Sequence, residues 1–189
     1  MAERAISIED TAVIRFRAGQ GAIGGFVRLP YEVLAGRTIA AEVGKSFDVT
    51  VGAADFLSWV DAGGAVPDRR DAHWLSPLPP KAGWQRVEEV PDAAIREVIR
   101  SGSVLAQDVG TTKDQASLLS AIVLTASNAE REVEVPLGPL SGLTRMGFLP
   151  HNSHAAIDVA AGWIRVTALY GSTFVNSGGT ALGILNLGF

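Results

Sequence analysis

Six residues in one short stretch hold the densest chemistry of this chain: Asp68, Arg69, Arg70, Asp71, His73 and Trp74. Two guanidinium groups can fork onto a carboxylate or phosphate, His73 changes charge near neutral pH, and Trp74 offers a flat apolar face. Mixtures of this kind on a loop mark binding sites, so 68–74 is the candidate ligand-binding site. The plainer reading of the same residues is a solvated loop held by internal Arg–Asp pairs. An enzyme built here would use His73 with Asp68 or Asp71 for acid–base work.

A second constellation is His151, His154 and Asp158, an H-x-x-H-x-x-x-D run after Pro150. On a helix the three would share a face, and two imidazoles with a carboxylate can hold zinc. Pro150 and Asn152-Ser153 instead suggest a loop or cap, so metal binding stays an open alternative. Gly19-Gln20-Gly21-Ala22-Ile23-Gly24 matches G-x-G-x-x-G, but Phe26 to Leu29 runs into Pro30, and no long helix can start at these glycines. The stretch reads as a flexible turn. Pro77-Leu78-Pro79-Pro80-Lys81 reads as a stiff connector. There is no G-x-S-x-G elbow, no Walker A loop and no cysteine, which removes thiol catalysis, disulfides and Cys-ligated metal. No cofactor and no catalytic residue is expected.

The elements that would position these residues follow from periodicity. Ile6 and Ile8, then Ile14 and Phe16, alternate with polar residues and predict an antiparallel hairpin turning near Glu9-Asp10. Phe47, Val49 and Val51 predict a strand, and Ala53 to Asp61 a short helix ended by Gly63-Gly64. Pro91 to Gln107 predicts an amphipathic helix. Thr112 with Gln115 forms a capping box for a second helix through Leu118, Leu119, Ile122, Val123 and Ala126. Arg131 to Val135 reads as a strand and Leu137 to Phe148 as a glycine-weakened helix. Trp163–Tyr170 and Thr173–Asn176 flank Gly171-Ser172, the signature of a type II′ hairpin that would set Leu169 opposite Phe174. Ala181 to Phe189 could add a last strand.

With 189 residues, 47% hydrophobic and 19% charged, the chain can bury a sizeable core and is not disordered. Its net charge of −4 provides no global footprint for nucleic acid or anionic lipid. Nothing at residues 1–10 resembles a leader, and no long apolar run is available to span a membrane, so a cytoplasmic location is expected. From Val166 to Phe189 there is no acidic or basic side chain. A surface strand normally carries some charge to protect its edge, so this segment is either central in a sheet or covered by another copy.

The expected fold is α+β: an antiparallel strand-rich N-terminal part over 1–62, a Pro/Trp-rich loop or linker over 63–84, and an α+β part over 85–189 with a helix-rich middle and a C-terminal β-hairpin. Over 91–176 the order of two helices, a strand, a third helix and a hairpin resembles a winged helix-turn-helix, which would imply DNA binding. That segment has few basic residues, which argues against nucleic acid without removing it. The expected function is a non-catalytic binding or assembly domain that forms homo-oligomers through 166–189. The alternatives are the DNA-binding module and the small acid–base enzyme. The identity of any small-molecule ligand is not legible.

Overall fold

The computed structural model describes residues 1–19, 21–107 and 112–177. The chain divides into two compact units, Met1–Leu78 and Pro79–Phe189, with the division inside the Pro/Trp-rich segment. Every strand pairing described below is antiparallel, and the mixed α+β class read from the pattern is the one that forms.

Unit one opens with a helix, α1 (Ala2–Ile8), where alternation predicted a strand. Ala2 and Ala5 are good helix formers, and burying both gives this segment an apolar stripe at helical spacing that outweighs the alternation of Ile6 and Ile8. Next come β1 (Val13–Gly19), β2 (Ala22–Arg28), β3 (Leu34–Ala40), β4 (Phe47–Gly52) and α2 (Ala53–Ala62). The strands lie side by side in the order β4-β1-β2-β3. The glycine-rich stretch is thus a strand junction, with Gly21 at φ 71°. On one face Ile14, Phe16 and Ala18 line up with Val27, Gly25 and Ile23 of β2 and with Val51, Val49 and Phe47 of β4. Phe56 of α2 packs on Phe16 at 4.8 Å between ring centroids. Arg15, Arg17, Asp48 and Thr50 alternate onto the other face. Gly63, at φ 69°, ends α2 as its sequence predicts.

Unit two contains β5 (Gln85–Pro91), α3 (Asp92–Gln107), α4 (Thr112–Ser120), β6 (Ile122–Ser127), β7 (Glu132–Pro136), α5 (Leu137–Arg145), β8 (His154–Ala160), β9 (Trp163–Ala168) and β10 (Gly171–Asn176). Four strands run β10-β9-β8-β5, and β6 pairs with β7 as a separate ribbon. The predicted second helix is therefore too long. Ile122 to Ser127 leaves it as a strand, because β-branched Ile122, Val123 and Thr125 suit an extended chain and β7 supplies the hydrogen-bonding partner. The side chains of the Thr112/Gln115 capping box lie outside the described residues. The winged helix-turn-helix does not form: β8 and β5 extend the terminal hairpin within one sheet, in the order β10-β9-β8-β5. α5 covers one face of that sheet, with Leu140, Leu143, Ile157 and Val166 fully buried. There the Thr173 hydroxyl donates to the Pro139 carbonyl at 2.8 Å.

The terminal hairpin forms, but its turn is Leu169-Tyr170 rather than Gly171-Ser172, and Phe174 faces Arg165 instead of Leu169. Gly171 serves close approach, not turning: a Cβ there would sit 2.7 Å from the buried Phe148 ring. Packing against Phe148 thus moves the glycine into the strand, and Leu169 and Tyr170 are left exposed at 70% and 46%. The stretch 181–189, read as a further strand, lies outside the described residues. Among the described residues no helix is long and apolar enough to cross a membrane.

Candidate functional site: an arginine-aspartate strap and a charged ladder

Residues 68–74 meet the edge of the unit-one sheet. Among the described residues β4 pairs with β1 alone, so on its other side Asp48 and Thr50 direct backbone groups outward. Three consecutive loop residues take up those groups. The Arg69 guanidinium donates to the Asp48 carbonyl at 3.0 Å, the Arg70 N–H donates to the Thr50 carbonyl at 2.7 Å, and the Thr50 N–H donates to the Asp71 carboxylate at 2.7 Å. The loop behaves as a strap that substitutes for a neighbouring strand.

Side chains brace the strap. Arg69 pairs with Asp71 at 2.7 Å, and Arg70 with Asp55 of α2 at 2.8 Å. Asp55 folds back over Gly52, where a Cβ would sit 2.4 Å from its carboxylate oxygen. Arg15 holds Asp48 through two bonds of 2.7 and 3.0 Å, and its guanidinium lies 5.9 Å from the Trp74 ring. Trp74 is buried and donates its indole N–H to the Ser76 carbonyl. The Thr50 N–H, followed by Arg69, holds the Asp71 carboxyl below the usual carboxylate range. The hydrogen bond from Arg15 does the same for Asp48 and raises Arg15 in return.

Of the six candidate ligand residues, then, Arg69, Arg70, Asp71 and Trp74 are brought together by internal bonds. Asp68 and His73 remain exposed. The Thr50 hydroxyl is buried with no hydrogen-bond partner among the described residues. Sequence reasoning missed Arg15, Asp48, Thr50 and Asp55, the groups the strap binds. Alternation placed Asp48 and Thr50 on one face of a strand, but which strand was the edge was not legible.

The metal candidate comes apart. His151 precedes β8 and lies exposed, 3.9 Å from Asp92. His154 opens the strand, also exposed, and Asp158 is buried in it. Among the described residues no three His, Cys, Asp or Glu side chains assemble as a metal-holding group. Asp158 instead joins a ladder across three strands. Arg86 of β5 and Arg165 of β9 are its register partners, and bond it at 2.7 and 3.0 Å. A bulge between Arg86 and Glu88 returns Glu89 to the same face, where it also pairs with Arg86. Trp84 lies 4.4 Å over Arg165 and packs against Phe174, the next residue in the row. At the start of α3, burial pushes the Asp92 carboxyl up, but Arg96 and the Ser153 and Asn152 N–H groups outweigh it and hold it below the usual range.

These two units define an antiparallel-sheet α+β fold of the sliding-clamp type. The DNA polymerase III subunit beta from Pseudomonas aeruginosa is similar at a TM-score of 0.59 and 11% identity, over 93% of this chain and 61% of that one. The DNA polymerase sliding clamp from Bacillus subtilis gives 0.58 and 12%, over 93% and 60%. The clamp from Caulobacter crescentus gives 0.54 and 12%, over 90% and 58%. The chain spans about three fifths of the length of these structures, and the likeness is one of fold. By sequence the chain belongs to the family described as domain of unknown function DUF8185, whose model matches residues 79–180. The model of a second domain of unknown function, DUF8010, matches residues 1–75. No curated protein matches.

Proposed function

We propose that this chain is a non-catalytic, cytoplasmic binding or assembly domain that associates with further copies of itself. The observation that carries this reading is the fold: structures similar over nine tenths of the chain carry the names DNA polymerase sliding clamp and DNA polymerase III subunit beta. The chemistry of the strap agrees with it, since Arg69, Arg70 and Asp71 are engaged in bonds to β4 and α2. In this reading the surface for association is the terminal hairpin, where Leu169 and Tyr170 stand exposed in a stretch without acidic or basic side chains. A small polar ligand would meet the strap at Asp68 and His73, which face solvent.

Light scattering on a size-exclusion column tests the association. We expect a mass above that of one chain at high micromolar concentration and a return toward monomer in Leu169→Glu; a strict monomer overturns the reading. A second reading, contact with DNA, is favoured by the polymerase names of the similar structures. It predicts a salt-sensitive mobility shift, and no shift at low salt removes it.

A further inference from the structure

We infer that the 69–71 strap masks a latent self-association edge, and that releasing it lets β4 pair antiparallel with β4 of a second copy. This surface is separate from the terminal hairpin, and the inference does not rest on association there.

The first support is the economy of the strap. On the side of β4 facing away from β1, the strap takes up three backbone groups among the described residues, one each by Arg69, Arg70 and Asp71, and two of these bonds are made by side chains of half-exposed residues. A true neighbouring strand would satisfy the same outward groups of Asp48 and Thr50 with its own backbone. The strap therefore competes with a strand for one set of donors and acceptors, which is how natural sheets blunt an edge that would otherwise recruit another chain.

The second support is that β4 is complementary to itself. Asp48 and Thr50 are the outward-bonding residues, so a two-fold axis through Val49 sets Asp48 opposite Thr50 of the second copy in hydrogen-bonded pairs. On the helix-bearing face the same axis sets Val49 opposite Val49 of the second copy and Phe47 opposite its Val51. These are aromatic and β-branched pairs of the kind that stabilise sheets. Phe47 is already 41% exposed, so part of this surface is apolar and wet in the single chain. No like charges meet in this register, because the one charged residue of β4, Asp48, faces a threonine and stays neutralised by Arg15 of its own chain. A second copy is therefore the occupant that fits.

The test compares wild type, Arg69→Ala/Asp71→Ala, and that double variant carrying Val49→Lys, by light scattering at high micromolar concentration, with circular dichroism to confirm folding. The strap-released variant should show a mass above that of wild type. Val49→Lys should return it to the wild-type mass, because two ammonium groups would face each other at the axis. A folded double variant with the wild-type mass overturns the inference, and so does association that survives Val49→Lys. If the double variant does not fold, Arg69→Ala alone decides: more self-association than wild type supports the inference, and no increase overturns it. The wild-type mass by itself reports on association through the hairpin, so failure of that reading and failure of this one give different results.

Discussion

The strap and the ladder use the same chemistry in opposite surroundings. Each centres on one aspartate held by arginine, Asp71 by Arg69 and Asp158 by Arg86 and Arg165. The Asp158 side chain is 3% exposed, whereas that of Asp71 is 48% exposed. Water screens the Asp71 pair, so it contributes little to stability and can open. Around Asp158 low local polarity strengthens the attraction, and loss of a partner would leave a charge stranded. The ladder also ties β5, β8 and β9 at fixed register, while the strap touches an edge. Burial, rather than residue type, separates a device that fixes the fold from one that can be released.

The sharpest way to break this comparison is Asp158→Asn. It takes the carboxylate from Arg165 and leaves Arg86 with Glu89 alone, and because both guanidinium groups retain some exposure the expected loss is about 3 kcal/mol, at the lower end for broken buried pairs. Urea unfolding measures it; a loss no larger than that of an average surface substitution would put the ladder on a level with the strap. Next in size is Gly171→Ala. The added methyl meets Phe148 at 2.7 Å, and overpacking of that kind costs about 1–3 kcal/mol. A neutral result in the same experiment would restore Gly171 as an ordinary turn residue.

Acid sharpens the contrast further. Asp48, Asp71 and Asp92 all have folded-state values below the usual range. Their contribution is fully present above the unfolded aspartate value of about 3.9 and is lost as pH falls through the lower folded values. Acid titration by circular dichroism should show stability constant from neutrality down to that point and declining below it. In the same range the Thr50 amide, whose acceptor is Asp71, should lose protection from hydrogen exchange before the amides of β8. Simultaneous loss would mean that the strap and the ladder open as one unit. The smallest effect is expected for Leu75→Ser, at a side chain 80% exposed, with a change within about 0.5 kcal/mol.

Much of the fold was legible where a single period dominates. β4 and β7 read as strands, and α2, α3 and α5 as helices, because alternation or a helical stripe is uninterrupted there. Two of the errors arose where two periods compete within a few residues. Ile6 and Ile8 alternate like a strand, yet Ala2 and Ala5 are the residues that α1 buries. Ile122 and Val123 continue the helical spacing of Leu118 and Leu119, yet β7 offers the backbone a partner. At the candidate site, the cluster of charges on the loop was visible, but its targets were not. Thr50 lies 21 residues from Asp71, and Arg86 lies 72 from Asp158.

Local composition alone therefore determined the α+β class, the lack of thiol chemistry, the concentration of charge at 68–71 and its absence after Arg165. Each of these depends only on which side chains are present and on their near-neighbour spacing. Tertiary structure decided which strand became an edge, where the last hairpin turned, and which aspartate was sealed from water. Those outcomes depend on contacts between residues far apart in the chain, whose energies are set by burial and register and exist only once the sheets have formed.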